Sequence, residues 1–124
     1  MSEIRANTVS DAAGTGPVTL TKQSAAKVWV NFNGTGTIAE RDSFNVSSLT
    51  DNSTGDYTFN FTTAMANTTY VLSGAIGDSG LFASFRSYGS YPPTASAVRV
   101  ASTAHDGALY DMSAVTIVVH GDLA

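Results

Sequence analysis

Between Lys27 and Phe61 the chain reads KVWVNFNGTGTIAERDSFNVSSLTDNSTGDYTFNF, three alternating segments punctuated by two turn signals. No other run restricts the fold as tightly. In the first segment Val28, Val30 and Phe32 fall on one side of a period-two ladder and Trp29 and Asn31 on the other, the pattern of a half-buried strand. Asn33-Gly34-Thr35-Gly36 then supplies the flexible reversal of a hairpin. Ile38 opens the returning strand, in which Phe44, Val46 and Ser48 alternate with Asn45, Ser47 and Leu49; Asp51 to Gly55 turns the chain again into Tyr57, Phe59 and Phe61.

The meander continues beyond that run. Tyr70 to Ala75 and Leu81 to Tyr88 read as strands, and Ala97 to Ala101 as a short one. The intervening Tyr91-Pro92-Pro93 argues against regular pairing between the last two, because proline removes a ladder donor. Met112 to His120 closes the chain, and its Ala114, Val115, Ile117, Val118 and Val119 are apolar on both faces. That segment predicts a central strand covered on one side by the core and on the other by a further surface. About eight short strands at this spacing predict an all-β fold, an antiparallel β-sandwich or a jelly-roll-like barrel.

At 124 residues the chain holds a single core. With no cysteine, neither a disulfide nor a thiolate zinc site supports that core. Charged residues form only 13% of the sequence, which suits hydroxyl-rich sheets better than charge-rich surface helices. A net charge of −4 with six scattered Lys and Arg lacks the basic stripe that phosphate backbones require, so nucleic acid is excluded as a partner. The longest apolar stretch, Ala114 to Val119, is too short to cross a bilayer, and the first residues lack the apolar run of a signal peptide. The expectation is a soluble product of the cytoplasm.

Residues 1–26 differ from the rest, with Gly14, Gly16 and Pro17 as punctuation and few large apolar anchors. They predict an extended arm, with one helical turn at Gln23 to Ala26, that needs neighbours to become ordered; residues 27–124 form the sandwich domain. An arm that cannot form its own core and a closing strand apolar on both faces favour self-association. The candidate subunit-interface residues are Ile4, Val9 and Leu20 of the arm and Ile117 and Val119 of the last strand.

Several constellations bear on chemistry. His105-Asp106 has no G-x-S-x-G elbow and reads as a polar loop rather than part of a triad. His120 lies at a strand end where a threefold axis could gather three imidazoles on one ion, but a satisfied strand-end histidine explains it as simply. Asp51, Asn52 and Asp56 lack the spaced oxygens and terminal Glu of a calcium loop, and Asn33 to Gly36 lacks the helix of a phosphate loop. Asn-x-Ser/Thr triplets at Asn45, Asn52, Asn60 and Asn67 arise readily in so hydroxyl-rich a chain. No catalytic residue, metal site or cofactor is expected. The one candidate binding feature is the loop Arg86 to Pro93, with Arg86, Ser87, Tyr88, Ser90 and Tyr91, since tyrosine beside Ser and Gly combines rigid amphipathic contact with adaptable hydrogen bonding.

Asn7-Thr8, Asp11, Gly14, Gly16-Pro17, the run Lys27 to Gly36, Ser43-Phe44-Asn45-Val46-Ser47-Ser48, Thr50-Asp51, Gly55-Asp56-Tyr57 and Asn60-Phe61 together resemble a family of tailed-bacteriophage virion proteins. These are described as tail-fibre or structural proteins and are common in phages of marine and alphaproteobacterial hosts. The resemblance spans residues 1 to 70 and fades in the last third. It implies a non-enzymatic, homotrimeric particle component of the tail-fibre or fibre-tip type, located on the virion and exposed at its surface. The partners it implies are further copies of itself, other virion proteins of the tail or the major capsid protein, and a host surface glycan or protein. A capsid decoration (cement) protein gripping the shell through residues 1–26 is the first alternative. A glycan-binding or glycan-hydrolysing sandwich is the second, although no carboxylate pair is set aside for glycoside cleavage.

Overall fold

The computed structural model describes Ala13 and residues 25–77, 83–87 and 90–124, the strand at 83–87 by its backbone. Eight strands make up the described fold: β1 (Val28–Asn33), β2 (Ala39–Phe44), β3 (Val46–Ser53), β4 (Asp56–Phe61), β5 (Val71–Gly77), β6 (Ala83–Ser87), β7 (Ala97–Ala104) and β8 (Ala114–His120). They form two four-stranded antiparallel sheets, a front sheet ordered β2-β1-β8-β5 and a back sheet ordered β3-β4-β7-β6. Of the two all-β architectures expected, the sandwich is the one observed. Nearly all of the 1–26 arm lies outside the described residues.

The core is the sum of the inward sides of the ladders. Val28, Val30 and Phe32 of β1 and Val115, Ile117 and Val119 of β8 meet Tyr57, Phe59 and Phe61 of β4 and Val98 and Val100 of β7, with Met65 and Met112 closing the ends. Phe32 and Tyr57 pack edge to face across the gap, their centroids 5.0 Å apart, an arrangement that adds to area burial for aromatic pairs. As predicted, β8 is a central strand, bonded to β1 and β5.

The returning segment from Ile38 to Leu49 is not one strand. Asn45 adopts φ 58°, a left-handed conformation that asparagine tolerates better than most residues, and the chain passes there from the front sheet to the back. The side chain holds the corner. Its Nδ2 donates to Lys27 O at 3.1 Å and Thr63 O at 3.0 Å, its Oδ1 accepts from the Thr63 N–H at 2.6 Å, and its own carbonyl accepts from the Thr62 N–H. Beyond the corner the expected strict alternation fails again, because the β3–β4 register shifts between Val46 and Ser48 and between Asp51 and Ser53. A bulge of this kind moves one extra residue between two inward positions, so Val46 and Leu49 both pack on the core.

At the opposite end of the sandwich the Tyr57 hydroxyl donates to Asp111 Oδ1 at 2.9 Å and approaches Gly34 O at 3.3 Å. The same Asp111 oxygen accepts from the Gly55 N–H at 2.7 Å. Burial, followed by the Asp111 hydrogen bond, pushes the Tyr57 hydroxyl far above the ordinary phenol range. The turn after β1 is the expected one, with Asn33 Oδ1 accepting from the Thr35 N–H and hydroxyl, and Gly36 at φ 64°.

Two strand expectations need correction. β7 runs to Ala104 rather than stopping at Ala101, and β6 and β7 pair regularly, from Ala83 opposite Ala104 to Ser87 opposite Val100. Pro92 and Pro93 lie in the connection ahead of β7, where they remove no ladder donor.

Candidate binding groove

The outer side of the back sheet is built by the register of β4 on β7. Thr58 stands opposite Arg99, and Asp56 opposite Ala101, so the alternate positions that do not feed the core put a hydroxyl, a guanidinium and a carboxylate on one surface. Asp56 is almost wholly buried, at 2% exposure. Arg99 meets it in a two-pronged pair, Nε to Oδ1 at 2.7 Å and Nη2 to Oδ2, the geometry in which a planar fork compensates a carboxylate best. Asn52 Nδ2 donates to Thr58 Oγ1 at 2.9 Å and lies 3.3 Å from Asp56 Oδ1. The Asp56 hydrogen bond holds the guanidinium of Arg99 even more firmly protonated than usual.

The loop ahead of β7 supplies the remaining wall. The Arg99 guanidinium carbon lies 3.7 Å from the centroid of the Tyr91 ring, within the range of a cation–π contact. Tyr70 donates its hydroxyl proton towards Thr94 O at 3.0 Å and Ala97 O at 3.2 Å, and the Thr94 N–H donates to Ala97 O at 2.9 Å, which fixes the loop on the sheet. Burial pushes the Tyr70 hydroxyl up to about 12. Between loop and sheet opens a groove of about 370 Å³, lined by Thr58, Tyr91, Pro92, Thr94, Val98 and Arg99, with Ala97 in its floor. A half-exposed aromatic ring, a cation neutralised by its own carboxylate and two threonine hydroxyls suit a neutral, hydroxyl-bearing ligand with an apolar face.

Sequence reasoning and structure overlap here in part. Tyr91 is at the groove, 49% exposed, and Ser90 is exposed beside it. Arg86 and Ser87 belong to β6, opposite Ala101 and Val100, and Tyr88 lies outside the described residues. Neither Arg99 nor Thr58 is expected from sequence as a site residue, and Asp56 is taken there only as part of a turn. Their signal was present: Arg99 interrupts the apolar alternation of Ala97-Val98-Arg99-Val100, and Asp56 directly follows the turn glycine.

The proposed interface residues fare differently. Ile117 and Val119 are fully buried inside the sandwich, on the inward side of β8, and offer no surface to a second chain; the outward side of that strand carries Thr116, Val118 and His120. Ile4, Val9 and Leu20 lie outside the described residues. His105 and Asp106 sit exposed in the turn after β7, where Asp106 Oδ1 accepts from the Ala108 N–H. His120 is half-buried at the end of β8, opposite Val71. Among the described residues no three His, Asp or Glu side chains gather as a metal site. Comparisons with family models, curated proteins and solved structures return no match.

Proposed function

We propose that the chain is a non-enzymatic structural protein of a tailed-bacteriophage particle, of the tail-fibre or fibre-tip type, exposed at the particle surface and contacting a host glycan through the groove at Tyr91 and Arg99. The sequence resemblance supports the viral setting. The observation that carries the contact role is the clamped guanidinium of Arg99, held by Asp56 on its edge and Tyr91 on its face. Such a pair orders its ring and hydroxyl neighbours before any ligand arrives, which lowers the entropy lost on binding. The acids near it support binding rather than bond cleavage, since Asp56 is engaged by Arg99 and Asp111 by Tyr57 and Gly55.

The test pairs location with contact. Gold-labelled antibody on intact particles should decorate the tail, and purified chain should bind neutral polysaccharide from the host surface without releasing reducing ends. Tyr91→Ala, which leaves the Arg99–Asp56 pair in place, should weaken that binding at least tenfold. Label on the head with no glycan binding would replace this reading by the capsid-decoration one, and released reducing ends would replace it by an enzyme.

A further inference from the structure

We propose that the outer edge of β5 is a seam through which two copies of the chain join, antiparallel and about a twofold axis, into one continuous eight-stranded front sheet. An unpaired edge presents a row of amide and carbonyl groups that template another strand, and proteins ordinarily blunt such edges with charge, proline, bulges or brevity. Three of the four sheet edges here are blunted. β2 carries Glu40, Arg41 and Asp42, and its register with β1 breaks at Asn31 and Phe32. The displaced Arg41 reaches over the sheet end to Phe32 O and Ser113 O. β3 has two register shifts and Asp51. β6 is five residues long and contains Arg86.

β5 has none of these devices. Its sequence, VLSGAIG, is uncharged and lacks proline, and its seven residues pair with β8 without a break. Among the described residues no strand pairs with its other side. Its outward face is open to water, with Val71 61% exposed and Ser73 and Ala75 exposed as well, and Gly74 at its centre is exposed too.

A second copy is the partner that this edge fits. The strand is centred on Gly74, so a twofold axis there opposes Leu72 to Ile76, Ser73 to Ala75 and Val71 to Gly77 of the second copy, keeping inward with inward and outward with outward. Leu72 and Ile76 pack against the core yet are only partly buried within one chain, and each gains apolar cover from the other across such a seam. A net charge of −4 on each copy repels two chains generally, but no charge lies at the junction itself. Pairing of this kind is isologous, one edge serving both partners, and main-chain bonds supply its affinity as in other strand additions. The seam is independent of what the groove binds.

Sedimentation equilibrium of the full chain, from sub-micromolar to high micromolar concentration, tests it. Wild type should move from one-chain to two-chain mass across that range. Ala75→Lys and Ser73→Lys point outward at exposed positions, so each should leave the monomer's circular dichroism and dilute-solution melting unchanged while raising the dissociation constant at least tenfold, since the two introduced lysines lie diagonally across the seam on one face, within reach of each other's charge. Thr50→Lys, exposed on the blunted β3 edge, should leave association intact. A wild type that stays monomeric, a three-chain mass, or equal effects of the β5 and β3 lysines would each overturn the seam.

Discussion

Replacing Asn45 tests how much of the sandwich depends on one corner. Its side chain makes three hydrogen bonds that join the start of β1 to the segment after β4, and its backbone sits at φ 58°. Each partly exposed hydrogen bond is worth about 0.5–1 kcal/mol net, giving roughly 2 kcal/mol for the three. Forcing alanine into the left-handed region adds about 1 kcal/mol. Asn45→Ala should therefore lose about 3 kcal/mol, and Asn45→Gly about 2 kcal/mol, since glycine takes the conformation without strain but loses the same bonds. Asn45→Asp keeps the acceptor for Thr63 but sets a carboxylate oxygen against the Lys27 and Thr63 carbonyls, so it should be no more stable than Asn45→Gly. Urea unfolding followed by tryptophan fluorescence measures all three, because Trp29 is the only tryptophan; the midpoint should shift while the slope stays constant. An Asn45→Ala variant within about 0.5 kcal/mol of wild type, the ordinary range for an uninvolved surface substitution, would show that the corner carries no such weight. Glycine proving worse than alanine would show equally that the backbone conformation contributes nothing.

Two further outcomes follow from the opposite end of the sandwich. At Gly34 an added Cβ would clash with Tyr57 Oη and meet Met112 O at 3.1 Å, whereas at Gly36 it would meet nothing within 4 Å but carry φ 64°; Gly34→Ala should cost about 2–3 kcal/mol by overpacking and Gly36→Ala about 1 kcal/mol by strain, as measured by thermal unfolding. Tyr57 and Tyr70 are both raised above the ordinary phenol value of 10.0, chiefly by burial, Tyr70 to about 12. Their stabilisation is complete below about pH 10 and is lost as pH rises, at about 1.4 kcal/mol per pH unit for each tyrosine that the unfolded chain has ionised and the folded chain has not. Urea midpoints at about pH 9, 10.5 and 11.5 should fall accordingly, and Tyr70→Phe should make that fall shallower.

The parts of this molecule that period-two patterning controls were legible in advance. Val28, Val30 and Phe32 against Trp29 and Asn31, or Tyr57, Phe59 and Phe61, declare their faces because burial sorts residues on a pleated strand by parity alone. Parity is also where the reading broke. At Asn45 and in β3 a single residue changes conformation or is inserted, and everything beyond it swaps face; nothing in Phe44-Asn45-Val46 distinguishes a corner from a strand until the partners Lys27 and Thr63 are in place. β8 shows the same limit differently. Its inward set Val115, Ile117 and Val119 and its outward Val118 are chemically alike, so a run apolar throughout identifies a central strand but not which of its residues remains outside.

The groove illustrates why a site can be half visible. Tyr91 announces itself by the company it keeps in sequence, whereas Arg99 and Asp56 lie 43 positions apart and become partners only through the β4–β7 register. Register also explains why Asp56 can be buried at all. A lone carboxylate at 2% exposure would shed its charge or unfold its surroundings, but Arg99 is delivered to it by a strand whose neighbouring residues, Val98 and Val100, are themselves fixed in the core. The apolar side of β7 thus sets the position of its polar side. β5 is the contrast, an edge strand whose core residues Leu72 and Ile76 are incompletely covered. The fixed placing of Arg99 over Asp56 and the incompleteness at the β5 edge have one origin, the unequal cover that a four-stranded sheet gives its central and outermost strands.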